Sequence, residues 1–163
     1  MKNVLIITTG GTLDKDHDTY TEGLVLGDKD ASHLGELLAR GRCYYPREIA
    51  LMSKDSLDMT EGDRIAIMDC IAEQDEEAII VTHGTSTMHE TARYLDGKIK
   101  NKTIILTGAM RPFAIGKSDA GFNVGGAVIA AQILPVGVYA VMNGRVFAAD
   151  KINKNEKEGR FDV

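Results

Sequence analysis

Two short threonine-bearing runs carry the chemistry this sequence offers: Thr8-Thr9-Gly10-Gly11-Thr12 and Thr82-His83-Gly84-Thr85-Ser86-Thr87. A threonine hydroxyl is a weak nucleophile until a base removes its proton, and the bases to look for are a lysine of lowered pKa or a carboxylate. Paired glycines let the first loop turn tightly and come close to a ligand. The first loop lacks the lysine and spacing of a Walker A phosphate loop and is not G-x-G-x-x-G, so by itself it reads as an ordinary Gly-Gly turn. The second loop by itself reads equally well as a helix cap or as a reactive loop. In the reactive form, hydroxyls and free N–H groups at a helix N-terminus lie beside a reacting carbonyl and make an oxyanion site. His83 invites a catalytic role, but next to a glycine at a strand end it reads as a buried, hydrogen-bonded histidine. The two loops together describe a hydroxyl nucleophile, an oxyanion site and acyl transfer, with the base and the substrate open.

Elements of the right kind stand before both loops. Apolar, β-branched runs at 3–7, 48–52, 78–82, 103–107 and 136–142 suit strands covered on both faces, as in a parallel sheet. Amphipathic stretches at 30–41, 60–73, 86–97 and 119–133 lie between them. Asp30 or Ser32 is expected to cap the first, and Thr60 with Asp63 and Thr87 with Glu90 read as helix starts. Pro135 ends the last helix. The βαβα order predicts an α/β three-layer domain with a mostly parallel sheet. Such sheets bind ligands beyond the carboxyl ends of their strands, where both threonine loops fall. Residues 10–29 break the rhythm and read as a long loop or hairpin, 109–118 as a second polar connection, and the stretch after about 150 as a solvated tail or linker.

Composition narrows the classes. A chain of 163 residues with 44% hydrophobic content fits one domain with a sizeable core. A net charge of −5, from 19 basic and 24 acidic residues, gives no electrostatic reason to bind nucleic acid or anionic lipid. Lys151, Lys154, Lys157 and Arg160 cluster, but Asp150, Glu156, Glu158 and Asp162 interleave with them. Val4–Ile7 is too short for a signal peptide, and no run of about 18 apolar residues could span a membrane. Cys43 and Cys70 have no metal-ligand spacing and read as small buried apolar residues. A cytoplasmic protein without membrane or nucleic-acid partners is expected.

The motifs, in this order, resemble those of the bacterial-type L-asparaginase (asparaginase/glutaminase) family. The resemblance rests on Thr9-Gly10-Gly11-Thr12, on Val81-Thr82-His83-Gly84-Thr85-Ser86-Thr87-Met88, on Thr107-Gly108-Ala109-Met110-Arg111-Pro112 followed by Ser118-Asp119 and Phe122-Asn123, and on the turn Asp55-Ser56-Leu57-Asp58-Met59-Thr60. It covers almost the whole chain and implies the fold of the family's N-terminal domain over residues 1–163, without the smaller C-terminal domain. It implies an amidohydrolase that releases ammonia from L-asparagine through a threonine acyl-enzyme, with no metal or organic cofactor. Thr12 matches the family's primary nucleophile, and Tyr20 the tyrosine of a mobile loop that closes over the site and contacts it. Thr85 matches the second catalytic threonine and Lys154 the lysine that activates it, with Lys151 as the nearest competitor. Ser56 matches the residue that holds the substrate's carboxylate, and Gly11, Gly84 and Ser86 line the substrate. A small-molecule amide substrate and a homodimer or higher homo-oligomer follow from the same likeness.

Position 86 departs from the family pattern, which has aspartate where this chain has serine. That carboxylate binds the substrate's α-amino group and supports the lysine, and the loss of a charge-assisted contact costs about 1.5–3 kcal/mol. Three outcomes stay open: an asparaginase weakened at this position, a non-catalytic or weakly active domain that binds a small amino-acid-like ligand, and an amidohydrolase for substrates without a free α-amino group.

Overall fold

The computed structural model describes residues 2–162. Six strands form the main sheet: β1 (Val4–Gly10), β4 (Arg47–Lys54), β5 (Ala78–Thr82), β6 (Thr103–Thr107), β7 (Gly137–Met142) and β8 (Arg145–Ala148). Their order is β4-β1-β5-β6-β7-β8, parallel except for the antiparallel β7–β8 edge. Between the strands lie α1 (Leu34–Arg40), α2 (Glu61–Ala72), α3 (Met88–Leu95) and α4 (Ala120–Ile133). The α/β three-layer architecture expected from the βαβα order is the one observed.

Alternation along each strand splits the core in two. Leu5, Ile7, Ile79, Val81, Ile104 and Leu106 face α2 and α3, meeting Ile67, Ile71, Met88 and Leu95. Val4, Ile6, Ile80 and Ile105 face α1 and α4, meeting Leu34, Leu37, Val124, Ala127 and Ala131. β1, β5 and β6 are buried along their whole length, which is why they read as unbroken apolar runs. Cys43 and Cys70 are half-buried at the margins of these cores rather than inside them.

Thr60 starts α2 as expected, in a capping box closed by Asp63. Thr87 does not cap α3 with its side chain; its hydroxyl instead donates to the Ser56 carbonyl at 2.7 Å. The Ser32 hydroxyl accepts the Leu34 N–H at the start of α1, whereas Asp30 lies in a separate 3-10 turn. Residues 10–29 hold a 3-10 turn (Thr12–Asp14) and the hairpin of β2 (Lys15–His17) with β3 (Leu24–Leu26). The stretch after 150 is not a solvated tail or linker. It forms the hairpin of β9 (Lys154–Asn155) and β10 (Arg160–Phe161), and buries Ile152 and Phe161 in the α2–α3 core. Edge strand β8 lies outside the strands expected from the sequence, although Asn143-Gly144, both at positive φ, is the sequence signal of the two-residue turn that joins it to β7.

Candidate active site

β1 lies between β4 and β5, so the chain leaves β1 toward one edge of the sheet and later resumes on the other side of it. That is the switch in strand order where open α/β sheets leave a crevice at the carboxyl ends. Three connections meet there: the Thr12 loop after β1, the Ser56 turn after β4 and the Thr85 loop after β5.

Glycine makes the meeting possible. Gly11 has φ of 82°, and an added Cβ would run into the backbone of His83 and Gly84. Gly84 in turn would bring a Cβ to 2.6 Å from both Cβ and Oγ of Ser56. The first loop therefore packs backbone to backbone on the second, and the second on the Ser56 turn. Hydrogen bonds fix the same contacts. Gly11 N–H donates to the Lys54 carbonyl at 2.9 Å and the Thr9 hydroxyl to the Thr82 carbonyl at 2.7 Å. The Thr87 N–H donates to Ser56 Oγ at 3.4 Å.

Thr12 is half-buried at the head of its 3-10 turn, while Thr85 and Ser56 are buried. Lys154 Nζ donates to Thr85 Oγ1 at 3.0 Å across 69 residues of sequence. Lys151 is exposed and pairs with Asp150 instead. β9 presents Lys154 because its partner in register is Phe161, which is anchored in the core. A chain of amides ties this hairpin to the rest of the site. Asn123 Nδ2 donates to the Gly108 carbonyl, Asn143 N–H to Asn123 Oδ1, and Phe161 N–H to Asn143 Oδ1, each at 2.9 Å. Asp119 caps the N–H groups of Met110 and Arg111 at 3.0 Å, which orders the connection after β6.

Two of the expected site residues stand apart from this centre or differ in charge. Tyr20 is 96% exposed at the tip of the β2–β3 hairpin, with its N–H on Asp18, and is not packed over the threonines. Ser86 is half-buried between Thr85 and Thr87 and brings no charge. His83 is fully buried, with Nδ1 2.7 Å from the Gly84 carbonyl and Nε2 2.8 Å from Thr91 Oγ1. Burial, with the Arg64 charge adding, lowers its pKa to about 4.

Sequence reasoning assigns no role to Lys15 or Asp55. Lys15 Nζ, on β2, donates to Asp55 Oδ2 at 2.5 Å and fastens the base of the hairpin to the Ser56 turn. The Lys15 bond is the main cause of an Asp55 carboxyl held below the usual range, and the Lys154 charge adds to it. Alternation along β2 is the signal available for Lys15, but nothing local names a partner 40 residues away.

Comparison with known proteins places these features in a wider set. The model of the family described as "Asparaginase, N-terminal" matches residues 3–161. The chain is 35% identical over 158 residues to a glutamyl-tRNA(Gln) amidotransferase subunit from Methanococcus vannielii, covering 90% of this chain and 35% of that protein. It is 30% identical over 166 residues to L-asparaginase 2 of Escherichia coli, covering 94% of this chain and 47% of that protein. A protein named probable periplasmic L-asparaginase, from Haemophilus influenzae, is 28% identical over 165 residues, which is 94% of this chain and 46% of that one. The chain thus spans between a third and a half of the length of these relatives.

Proposed function

The chain belongs to the asparaginase family, through its N-terminal domain, and from that premise we propose that it is an amidohydrolase in which Thr12 is the nucleophile and Thr85 with Lys154 forms the proton-handling pair. The observation that carries this is the 3.0 Å contact of Lys154 Nζ with Thr85 Oγ1, made in a crevice where the loop of Thr12 packs directly on the loop of Thr85.

The Thr12 hydroxyl attacks the carbon of a primary amide, its proton passing to the Thr85–Lys154 pair. Backbone N–H groups of the two loops take the developing oxyanion. The tetrahedral intermediate collapses, the C–N bond breaks, and the nitrogen leaves as ammonia with the returned proton. A water molecule, deprotonated by the same pair, then hydrolyses the ester to Thr12 and releases the acid. Ser56 orients the carboxylate end of the substrate. The β2–β3 hairpin swings Tyr20 from its exposed position toward Thr12 once substrate is bound, and so excludes water.

Ammonia release from a panel that includes L-asparagine, L-glutamine and their derivatives tests this. Turnover that falls at least about 1,000-fold in Thr12→Val supports the nucleophile assignment. No turnover of any amide by the wild-type chain, and none after Ser86→Asp, sinks the enzyme reading.

A further inference from the structure

The charges around the crevice bear on which amide it takes. Lys154 brings its amine to Thr85. Carboxylates near the Ser56 turn are Asp55, Asp58 and Asp63, and two of them are already engaged within the chain. Asp55 accepts from Lys15 Nζ at 2.5 Å and from the Leu57 N–H at 3.1 Å. Asp63 accepts from Lys54 Nζ at 2.7 and 2.8 Å and from the Thr60 N–H at 2.8 Å, and the Lys54 bond chiefly lowers its pKa to about 2. Asp58 is exposed, in a cleft of about 550 Å³ whose walls also carry Lys15 and Lys54. The two positions that flank the threonine pair and the Ser56 hydroxyl are neutral. Ser86 follows Thr85, and Leu57, apolar and 73% exposed, follows Ser56.

An ammonium entering beside Thr85 finds no carboxylate at position 86 or 57 to replace its hydration. Desolvating a cation without a carboxylate partner is costly. A carboxylate has a donor to offset its own desolvation: the Ser56 oxygen accepts from Thr87, which leaves the hydroxyl proton for an anionic oxygen. Resting on the amide-hydrolysing reading above, we propose that the site selects ω-amides that carry a carboxylate but no free ammonium beside it, with succinamate the simplest member. Ser86 and Leu57 are then specificity-determining residues, and the Lys15–Asp55 pair keeps the carboxylate next to Ser56 from serving as an ammonium site.

The test compares kcat/KM for ammonia release from succinamate and from L-asparagine. It adds calorimetric affinities for the corresponding products, succinate and L-aspartate, which need no turnover. Succinamate is expected to be favoured by about ten-fold or more, and succinate to bind tighter than L-aspartate by a similar factor. Ser86→Asp should move both ratios toward the amino-acid member, and Lys15→Met, which frees Asp55, should move them the same way by a smaller factor. A wild-type chain that prefers L-asparagine and L-aspartate overturns the proposal, as does a Ser86→Asp chain with unmoved ratios or a failure to bind either product. Absence of ammonia release from every amide would defeat the enzyme reading alone. The product affinities would still decide between an ammonium-excluding and an ammonium-accepting site.

Discussion

His83 donates through Nδ1 to the Gly84 carbonyl and accepts at Nε2 from the Thr91 hydroxyl, because a carbonyl can only be met by a ring N–H. It thereby fixes the peptide that precedes Thr85, and only the neutral ring can also accept from Thr91, since a protonated ring donates at both nitrogens. Burial has lowered its pKa to about 4, so between that value and the ordinary 6.5 the unfolded chain binds a proton that the folded chain refuses. Stability from this group is therefore complete above pH 6.5 and falls as the pH drops toward 4, by about 3 kcal/mol in total. Urea unfolding at pH 7, 5.5 and 4.5 should show that slope, and His83→Gln should flatten it within this window. A histidine at a strand end beside a glycine is legible in the sequence as buried and hydrogen-bonded, since only the strand pattern is needed. The Lys154–Thr85 contact is not legible from spacing, because it joins positions 69 apart through tertiary packing. The family resemblance alone points to it. Lys15 has no pointer of either kind, and Asp55 only its place in the Ser56 turn. The same resemblance assigns Tyr20 to the site, yet it stands open at the hairpin tip.

Elements as long as α2 or as apolar as β5 declare themselves through caps and composition, and their ends agree with expectation to within a few residues. Short elements do not. β9 and β10 have two residues each, too few for any alternation to register, and their charge suggests a solvated tail. What decides the outcome there is one side chain. Phe161, 2% exposed, packs against Phe147 with ring centroids 6.2 Å apart and holds the strand that faces Lys154. Phe161→Ala should cost about 3–5 kcal/mol, as truncation of a buried phenylalanine does. It should also lower kcat/KM under conditions where the chain remains folded, because Lys154 loses its support. Phe161→Leu keeps most of the volume and should recover most of both, which thermal unfolding and initial rates on the same samples would show. Edge strand β8 is legible in principle: Asn143-Gly144 between two apolar runs is a hairpin signal, but the second run is too short to stand out.

At the scale of the whole molecule, the strand order brings the ends of β1, β4 and β5 together, and a hairpin beyond β8 completes the site from the far end of the chain. The α/β class is legible because alternating apolar runs and amphipathic stretches leave few other arrangements. The strand order is not, since pairing of β1 between β4 and β5 depends on contacts that no local pattern encodes. One surface of the assembled domain stays unaccounted for by the domain itself. α4 is apolar on all sides, yet it leaves Phe122, Ile129 and Ile133 exposed beside Val146 of β8. Sedimentation velocity should find a dimer or larger species, and Ile129→Asp should shift it to monomer. Among the described residues no helix is long and apolar enough to cross a membrane. The central claim is that the centre joined by Lys154 and Thr85 hydrolyses amides. The direct measurement is ammonia release, from succinamate and L-asparagine in parallel, by the wild-type chain and by Lys154→Met with an unchanged circular dichroism spectrum. Release by the wild type and a loss of about 100-fold or more in the variant are predicted. A variant as fast as the wild type would contradict the claim.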